Sequence, residues 1–405
     1  MRGKHTLSRN ATPGHMTNSR ESTILSIHTG LGGLGGVTGF VRVLNRVQEC
    51  APLRIRYLTF QHDAYGHYDQ ALLDDLDACA LSYSGPWDVV ECMRSMRAHV
   101  ASVRPDLVLV HGVKEPLIYG LCRLLYRDAT PFACTYHGEY HAPTPWRLPL
   151  RWAYHSGGFY MMAKHAVGVL AVAEFCRDQL TSRGVPAAKV TVVHNGLKAE
   201  RPPRRPRNEM RGAWGVPEDA FVFGAASRLD ACKGLNYLIR AFAMIAQQVT
   251  NAWLVVAGDG KARGHLEGLT RRLGLADRVR FLGYQRDVES CLDAFDVFVL
   301  PSLFEYHSIA LLEAMRAALP IVATDVGGNT ESVRDGLEAS IVHSAEADSL
   351  AAALLRIAQD ASLRDTLATA ARKRFLAIFT EERTVSRTAE WLNDCLRKAR
   401  GTRGR

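Results

Sequence analysis

Residues 201–207 read Arg-Pro-Pro-Arg-Arg-Pro-Arg, three prolines and four arginines in seven positions. Proline has a fixed φ and no N–H to donate, so this stretch forms neither a helix interior nor a central strand. It reads as a linker, and the same pattern occurs on both sides of it. Before it, short β-rich runs at Thr23–Thr29, Leu53–Phe60, Asp106–His111, Pro131–His137, Val167–Val172 and Lys189–His194 alternate with helical spacings such as that of Val37–Val47. After it come Phe221–Ala226, Trp253–Ala257, Val279–Leu282, Val297–Leu300 and Ile321–Ala323, with helical stretches between them. Strands that alternate with helices imply a parallel sheet covered on both faces. The expectation is an α/β protein of two Rossmann-like domains facing across a cleft, with ligands at the C-terminal ends of the strands.

The expected divisions follow from the linker: a basic tail at 1–21, a first domain at 22–200, the linker, and a second domain at 208–380. After a break near Thr380 comes an amphipathic helix at 381–400. A chain of 405 residues with 47% hydrophobic and 22% charged residues has room for two cores. Its net charge of +9 is confined to the ends. Arg2, Lys4, Arg9 and Arg20 carry four charges, residues 397–405 carry five, and the remainder sums to zero. The folded body therefore gives no reason to expect a nucleic-acid partner. The cysteines are odd in number, nine in all, and scattered with no C-x-x-C pair, as buried thiols of a reducing compartment are. With no run of ~20 apolar residues and no signal peptide, the expected location is cytoplasmic.

Four local patterns carry chemistry. Gly32-Gly33-Leu34-Gly35-Gly36 follows a strand and precedes a helix, either as a tight turn or as a cradle in which backbone N–H groups meet a phosphate. Arg228 and Lys233 stand five residues apart after strand 221–226, where two cations can clamp one diphosphate. Glu305 lies in the loop before a helix and Glu313 inside it, as acceptors for sugar or ribose hydroxyls. His137 ends a strand in the first half, facing either the cleft or the core.

Taken in order, these segments resemble glycosyltransferase family 4, whose fold is called GT-B. The resemblance rests on Ala226-Ser227-Arg228-Leu229 with Lys233-Gly234-Leu235, on Val255 to Gly260, on Arg278 to Gly283, on Pro301-Ser302 to Glu305 with Leu311-Leu312-Glu313-Ala314-Met315, and on Pro320 to Gly328 with Glu331. Gly35-Gly36, His137-Gly138 and Val192 to Gly196 continue it in the first half. One departure stands out. The family usually has Glu-Gly-Phe-Gly where this chain has Glu305-Tyr306-His307-Ser308, at a loop whose backbone approaches the donor sugar.

The resemblance implies retaining transfer from a nucleoside diphosphate sugar, a UDP-sugar being one choice, to a glycan or lipid-linked acceptor in polysaccharide or lipopolysaccharide synthesis. His137, Arg228, Lys233 and Glu305 are the implied catalytic residues. Gly35, Gly36, Gly258, Leu282, Tyr306, His307, Ser308, Ile309 and Glu313 are the implied donor-binding residues. No cofactor and no metal are expected, because no Asp-x-Asp metal site is visible and the cations stand at the diphosphate. The last helix is expected to cross back to the first domain. Peripheral contact with the inner membrane face is expected from Trp146, Arg147, Leu148, Leu150, Arg151 and Trp152. A nucleotide-sugar epimerase and a non-catalytic nucleotide-sugar-binding protein are the alternatives.

Overall fold

The structure, a computed structural model, describes residues 21–29, 36–62, 74–76, 78–83, 89–138 and 148–403. The first domain holds a seven-stranded sheet: β1 (Ser22–Thr29), β2 (Leu53–His62), β3 (Cys79–Tyr83), β4 (Leu107–His111), β5 (Phe132–Tyr136), β6 (Ala166–Ala171) and β7 (Val190–Val192). Their spatial order is β3-β2-β1-β4-β5-β6-β7, every pair parallel. The second holds β8 (Phe221–Ala226), β9 (Ala252–Ala257), β10 (Val279–Phe281), β11 (Val297–Leu300), β12 (Ile321–Thr324) and β13 (Ser340–Val342) in the order β10-β9-β8-β11-β12-β13, again parallel. Central strands such as β4 and β5 are buried at every residue, which is why they read as unbroken apolar runs rather than alternations. In both sheets the order reverses beside the first strand, so two topological switch points mark the cleft.

Two chain segments join the domains side by side. Leu197 pairs with Thr380, its N–H donating to Phe379 O at 3.0 Å and its carbonyl accepting from Glu381 N at 2.8 Å. The helix that follows, Glu381–Arg403, packs on helix Gly36–Cys50 and on β6. Trp391, Leu392, Cys395 and Leu396 enter the first domain's core.

The prolines end at Pro206. Arg207 is the first residue of helix Arg207–Trp214, so the linker stops one residue earlier than its composition suggests. Its arginines are not simply solvated. Arg201 donates to Glu289 Oε2 and to Asp293 Oδ1, both at 2.5 Å, and ties the linker to helix Val288–Ala294. Tail residues 1–20, Gly35, Trp146 and Arg147 lie outside the described residues.

Candidate functional site

A cavity of about 710 Å³ opens between the domains. Phe40 and Arg42 line it from helix Gly36–Cys50, and Asn195 lines it from the segment after β7. From the second domain it is lined by Arg228, Gly258, Tyr284, Ile309, Glu313 and Arg316. Its volume suits a nucleotide-sized ligand.

Each second-domain group arrives from a strand end. Arg228 follows β8, is exposed, and pairs with Asp230 at 3.0 Å. Gly258 follows β9 with φ +137, and a Cβ there would lie 1.8 Å from the Ser227 carbonyl oxygen. The two strand-end loops therefore close up only over glycine. Ser308 caps helix Ile309–Arg316, its Oγ accepting from Leu311 N at 3.4 Å, and the start of that helix faces the cavity.

Lys233 and Glu305, which are not among the described lining of the cavity, form one unit. Lys233 Nζ donates to Glu305 Oε1 at 2.6 Å, and Ser302 Oγ donates to the same oxygen at 2.7 Å. The carboxylate holds the ammonium in place, and two further N–H groups on Nζ remain to meet an anion. Glu313 stands at the cavity wall between Glu289 and Arg316. Burial, and to a lesser degree the charge of Glu289, push its carboxyl up to about 7 against the pull of Arg316.

Other expected residues lie elsewhere. The side chains of Tyr306 and His307 are not among the described lining of the cavity. They are driven into the seam between the domains, where aromatic groups are available to cover them. The ring of Tyr306 packs with Tyr136, Phe175 and Phe304. His307 is buried beside His194 and Phe379, and burial pushes its imidazole down to about 3. Leu282, in the segment after β10, takes its place through backbone pairing with Val256 O at 2.9 Å, and Tyr284 two residues on reaches the cavity. His137 follows β5 and is not among the described lining of the cavity; its ring meets that of Phe40, which lines the cavity, at 5.0 Å. Gly36 is the first residue of its helix.

Glu331 crosses the seam. Its carboxylate accepts from the N–H groups of Glu174 and Phe175, both at 2.7 Å, at the start of helix Glu174–Ser182. It also bonds His194 Nε2 at 3.1 Å. No local pattern marked these partners, because they are 157, 156 and 137 residues away.

Two parallel-sheet domains with switch points on one cleft, and cations and carboxylates at the strand ends of the second, define the GT-B class. A sequence model described as "Glycosyl transferases group 1" matches residues 206–374, and one described as "Glycosyltransferase Family 4" matches residues 50–201. Each half of the chain thus matches a glycosyltransferase model. An uncharacterized glycosyltransferase of Methanocaldococcus jannaschii is 31% identical over 56% of this chain and 64% of its own length. A lipopolysaccharide core biosynthesis glycosyltransferase of Rhizobium meliloti is 33% identical over 48% and 54%. A UDP-Gal:alpha-D-GlcNAc-diphosphoundecaprenol alpha-1,3-galactosyltransferase of Escherichia coli is 29% identical over 46% and 49%. The chain thus spans about half to two thirds of the length of these curated relatives. Among solved structures, Anabaena HepE in complex with UDP and glucose superposes with a TM-score of 0.75 at 22% identity, over 92% of this chain and 99% of that one. WaaG, a glycosyltransferase involved in lipopolysaccharide biosynthesis, superposes at 0.72 and 17% identity, over 91% and 98%.

Proposed function

We propose that this chain transfers a sugar from a nucleoside diphosphate, with retention at the anomeric carbon, to a hydroxyl of a glycan or lipid-linked acceptor in cell-surface polysaccharide or lipopolysaccharide synthesis. The observation that carries this reading is that Arg228, just after β8, and Glu313, on helix Ile309–Arg316, line one interdomain cavity, while Lys233 and Glu305 pair on the loops that follow β8 and β11. Arg228 and Lys233 neutralise the diphosphate as the bond from the anomeric carbon to the β-phosphate oxygen breaks. The acceptor oxygen attacks the same face, and its proton passes to the departing phosphate oxygen, so no enzymic nucleophile is needed. Glu313 accepts hydrogen bonds from the ribose hydroxyls. Glu305 and the backbone of 306–309 hold the donor sugar, and His137 meets it from the first domain. The names of the Rhizobium and Escherichia relatives support the acceptor class, and the UDP in the Anabaena complexes supports uracil as the base.

The two cations take the place of a divalent ion, so the reaction is expected to run in excess EDTA. Membrane contact through the segment around Trp146 and through the basic tails belongs to the same reading. Binding to anionic vesicles that weakens with salt, and weakens further in Trp146→Ala/Arg147→Ala, supports it. Equal recovery with and without vesicles overturns that part.

The test of the whole is a thermal-shift screen of UDP-, GDP- and ADP-sugars in EDTA, followed by assay of free nucleoside diphosphate with and without acceptor. A donor at about 100 times its Kd adds about 2.7 kcal/mol of stability. Release that needs the acceptor supports transfer. Stabilisation by no nucleotide sugar, or full release without any acceptor, overturns it.

A further inference from the structure

Three neighbouring strands of the first sheet, β1, β4 and β5, carry histidines at or just past their C-terminal ends: His28, His111 and His137. The rings lie in a row, His28 and His111 stacked at 3.9 Å and His111 and His137 at 6.0 Å. Two hydroxyls join them. Ser26 Oγ lies 2.8 Å from His28 Nε2 and 2.9 Å from His111 Nε2. Thr135 Oγ1 lies 2.5 Å from His111 Nδ1 and 3.0 Å from His137 Nε2. The nitrogens at the two ends, His28 Nδ1 and His137 Nδ1, are buried and have no protein partner among the described residues. Apolar side chains would fill these positions at lower cost than polar rings with open ends.

The proton count restricts this row severely. Burial keeps all three imidazoles neutral at ordinary pH, His28 near 3, His137 near 4, and His111 well below its usual value. Each neutral ring has one N–H, and each hydroxyl has one proton to donate between two nitrogens. Every hydrogen bond must then run in the same direction, and only two arrangements exist. In one, His137 donates from Nε2 and its Nδ1 is bare. In the other, His137 carries its proton on Nδ1. An O–H donor makes a shorter bond than an N–H donor. Thr135 is nearer to His111 than to His137, and Ser26 is nearer to His28 than to His111. The Thr135 contacts, 2.5 against 3.0 Å, select the first arrangement, and the Ser26 contacts, 2.8 against 2.9 Å, are compatible with it.

We propose that Ser26 and Thr135, acting through His111, are positioning residues that hold His137 as the Nε2–H tautomer, so that its unpartnered nitrogen, Nδ1, is a hydrogen-bond acceptor and not a donor.

The test uses the full chain labelled with 15N at histidine, without donor, and reads ring-nitrogen protonation from long-range 1H–15N spectra. The wild type is expected to show His137 protonated on Nε2 alone, His111 on Nε2 and His28 on Nδ1. Ser26 bonds His28 and His111 and not His137 among the described residues, yet Ser26→Ala is expected to turn the single His137 tautomer into a mixture. Thr135→Val is expected to do the same, and Thr135→Ser to restore the wild-type pattern, which separates the hydroxyl from the packing. A His137 proton on Nδ1 in the wild type overturns the proposal. So does a His137 pattern that Ser26→Ala leaves untouched, even if Thr135→Val changes it, because the effect is then one contact and not a chain. These spectra stand whether or not sugar transfer is observed, so a failed transfer assay strikes the proposed function alone.

Discussion

Tyr306 of the second domain rests its ring on the α-carbon of Gly138 in the first: a Cβ built on Gly138, whose φ is +102, would lie 2.1 Å from Tyr306 Cδ2. Glycine is required there twice over, by the backbone and by the ring. The residues adjoining this contact in the chain are His137 on one side and Glu305 on the other. Tyr306 therefore sets how closely the acceptor-side histidine and the donor-side carboxylate approach each other.

Replacing Tyr306 by Ala empties a half-buried aromatic site. Loss of a large core side chain costs about 3–5 kcal/mol, and the cost here is expected at the lower end of that range. Gly138→Ala keeps the ring but forces the domains apart. Both variants are expected to raise the radius of gyration in small-angle scattering, Gly138→Ala the more. Unchanged scattering in both, with wild-type urea midpoints, would show that the contact does not set the closure.

The Lys233–Glu305 pair separates the consequences of removing each cation. Arg228 is exposed, so Arg228→Ala is expected to leave stability nearly unchanged while transfer falls by about 10²–10³, the usual effect of losing one donor to a developing anion. Lys233→Ala is expected to lose as much activity and also stability, because Glu305 stays behind in a buried site at 8% exposure. Breaking a buried pair costs about 3–5 kcal/mol. Glu305→Gln added to Lys233→Ala should return much of that stability and none of the activity. Near-wild-type turnover at saturating donor in either single variant would remove the phosphate clamp from the mechanism.

Glu331 provides a test of the seam itself. Burial alone would raise its carboxyl, but hydrogen bonds from His194 and from the N–H groups of Phe175 and Glu174 outweigh this and hold it below its ordinary 4.5. A carboxyl depressed in the folded state contributes stability above the unfolded value, and that contribution is lost as pH falls through the folded one. Glu331→Ala is expected to cost about 1–3 kcal/mol at pH 7, as charged hydrogen bonds do. The difference from wild type should narrow below pH 4. A gap that stays constant from pH 7 to pH 3.5 in urea titrations would mean that the carboxylate's charge contributes nothing to the seam.

What could be read from the chain before the structure divides along sequence distance. Two α/β units, most of their strands and the joint between them were legible, because apolar runs, helical spacing and a Pro/Arg segment are local. β3 and β13 were not, being five and three residues long with no clear alternation. Arg228, Gly258 and Glu313 were recognisable as cleft candidates because each belongs to a motif next to a strand or helix end. The Lys233–Glu305 pair spans 72 residues and the Tyr306–Gly138 contact spans 168, and no periodicity reports such a meeting. The departure at Tyr306-His307 was visible. Its meaning, a side-chain anchor in the domain seam, depended on knowing what lies opposite.

Glu313 links donor binding to protons. Its carboxyl is pushed up to about 7, so at neutral pH the unliganded protein holds it partly protonated. Ribose hydroxyls donate to an ionised carboxylate better than to a neutral one, so binding should favour the charged form and release a fraction of a proton. Calorimetric titration with a donor nucleotide at pH 7, in two buffers of different ionisation enthalpy, measures that fraction directly. It should grow as pH is lowered from 8 to 6.5, and it should vanish in Glu313→Gln. The stability sign is opposite to that of Glu331. A carboxyl raised in the folded state contributes stability below its unfolded value of 4.5 that is lost as pH rises through 7. Glu313→Gln, which cannot ionise, is therefore expected to be more stable than wild type at pH 8, by at most about 3 kcal/mol. Water in the open cleft reduces this figure, and the advantage should shrink toward pH 5. If the variant binds nucleotide as tightly as wild type with the same proton release, Glu313 is not the group that meets the ribose.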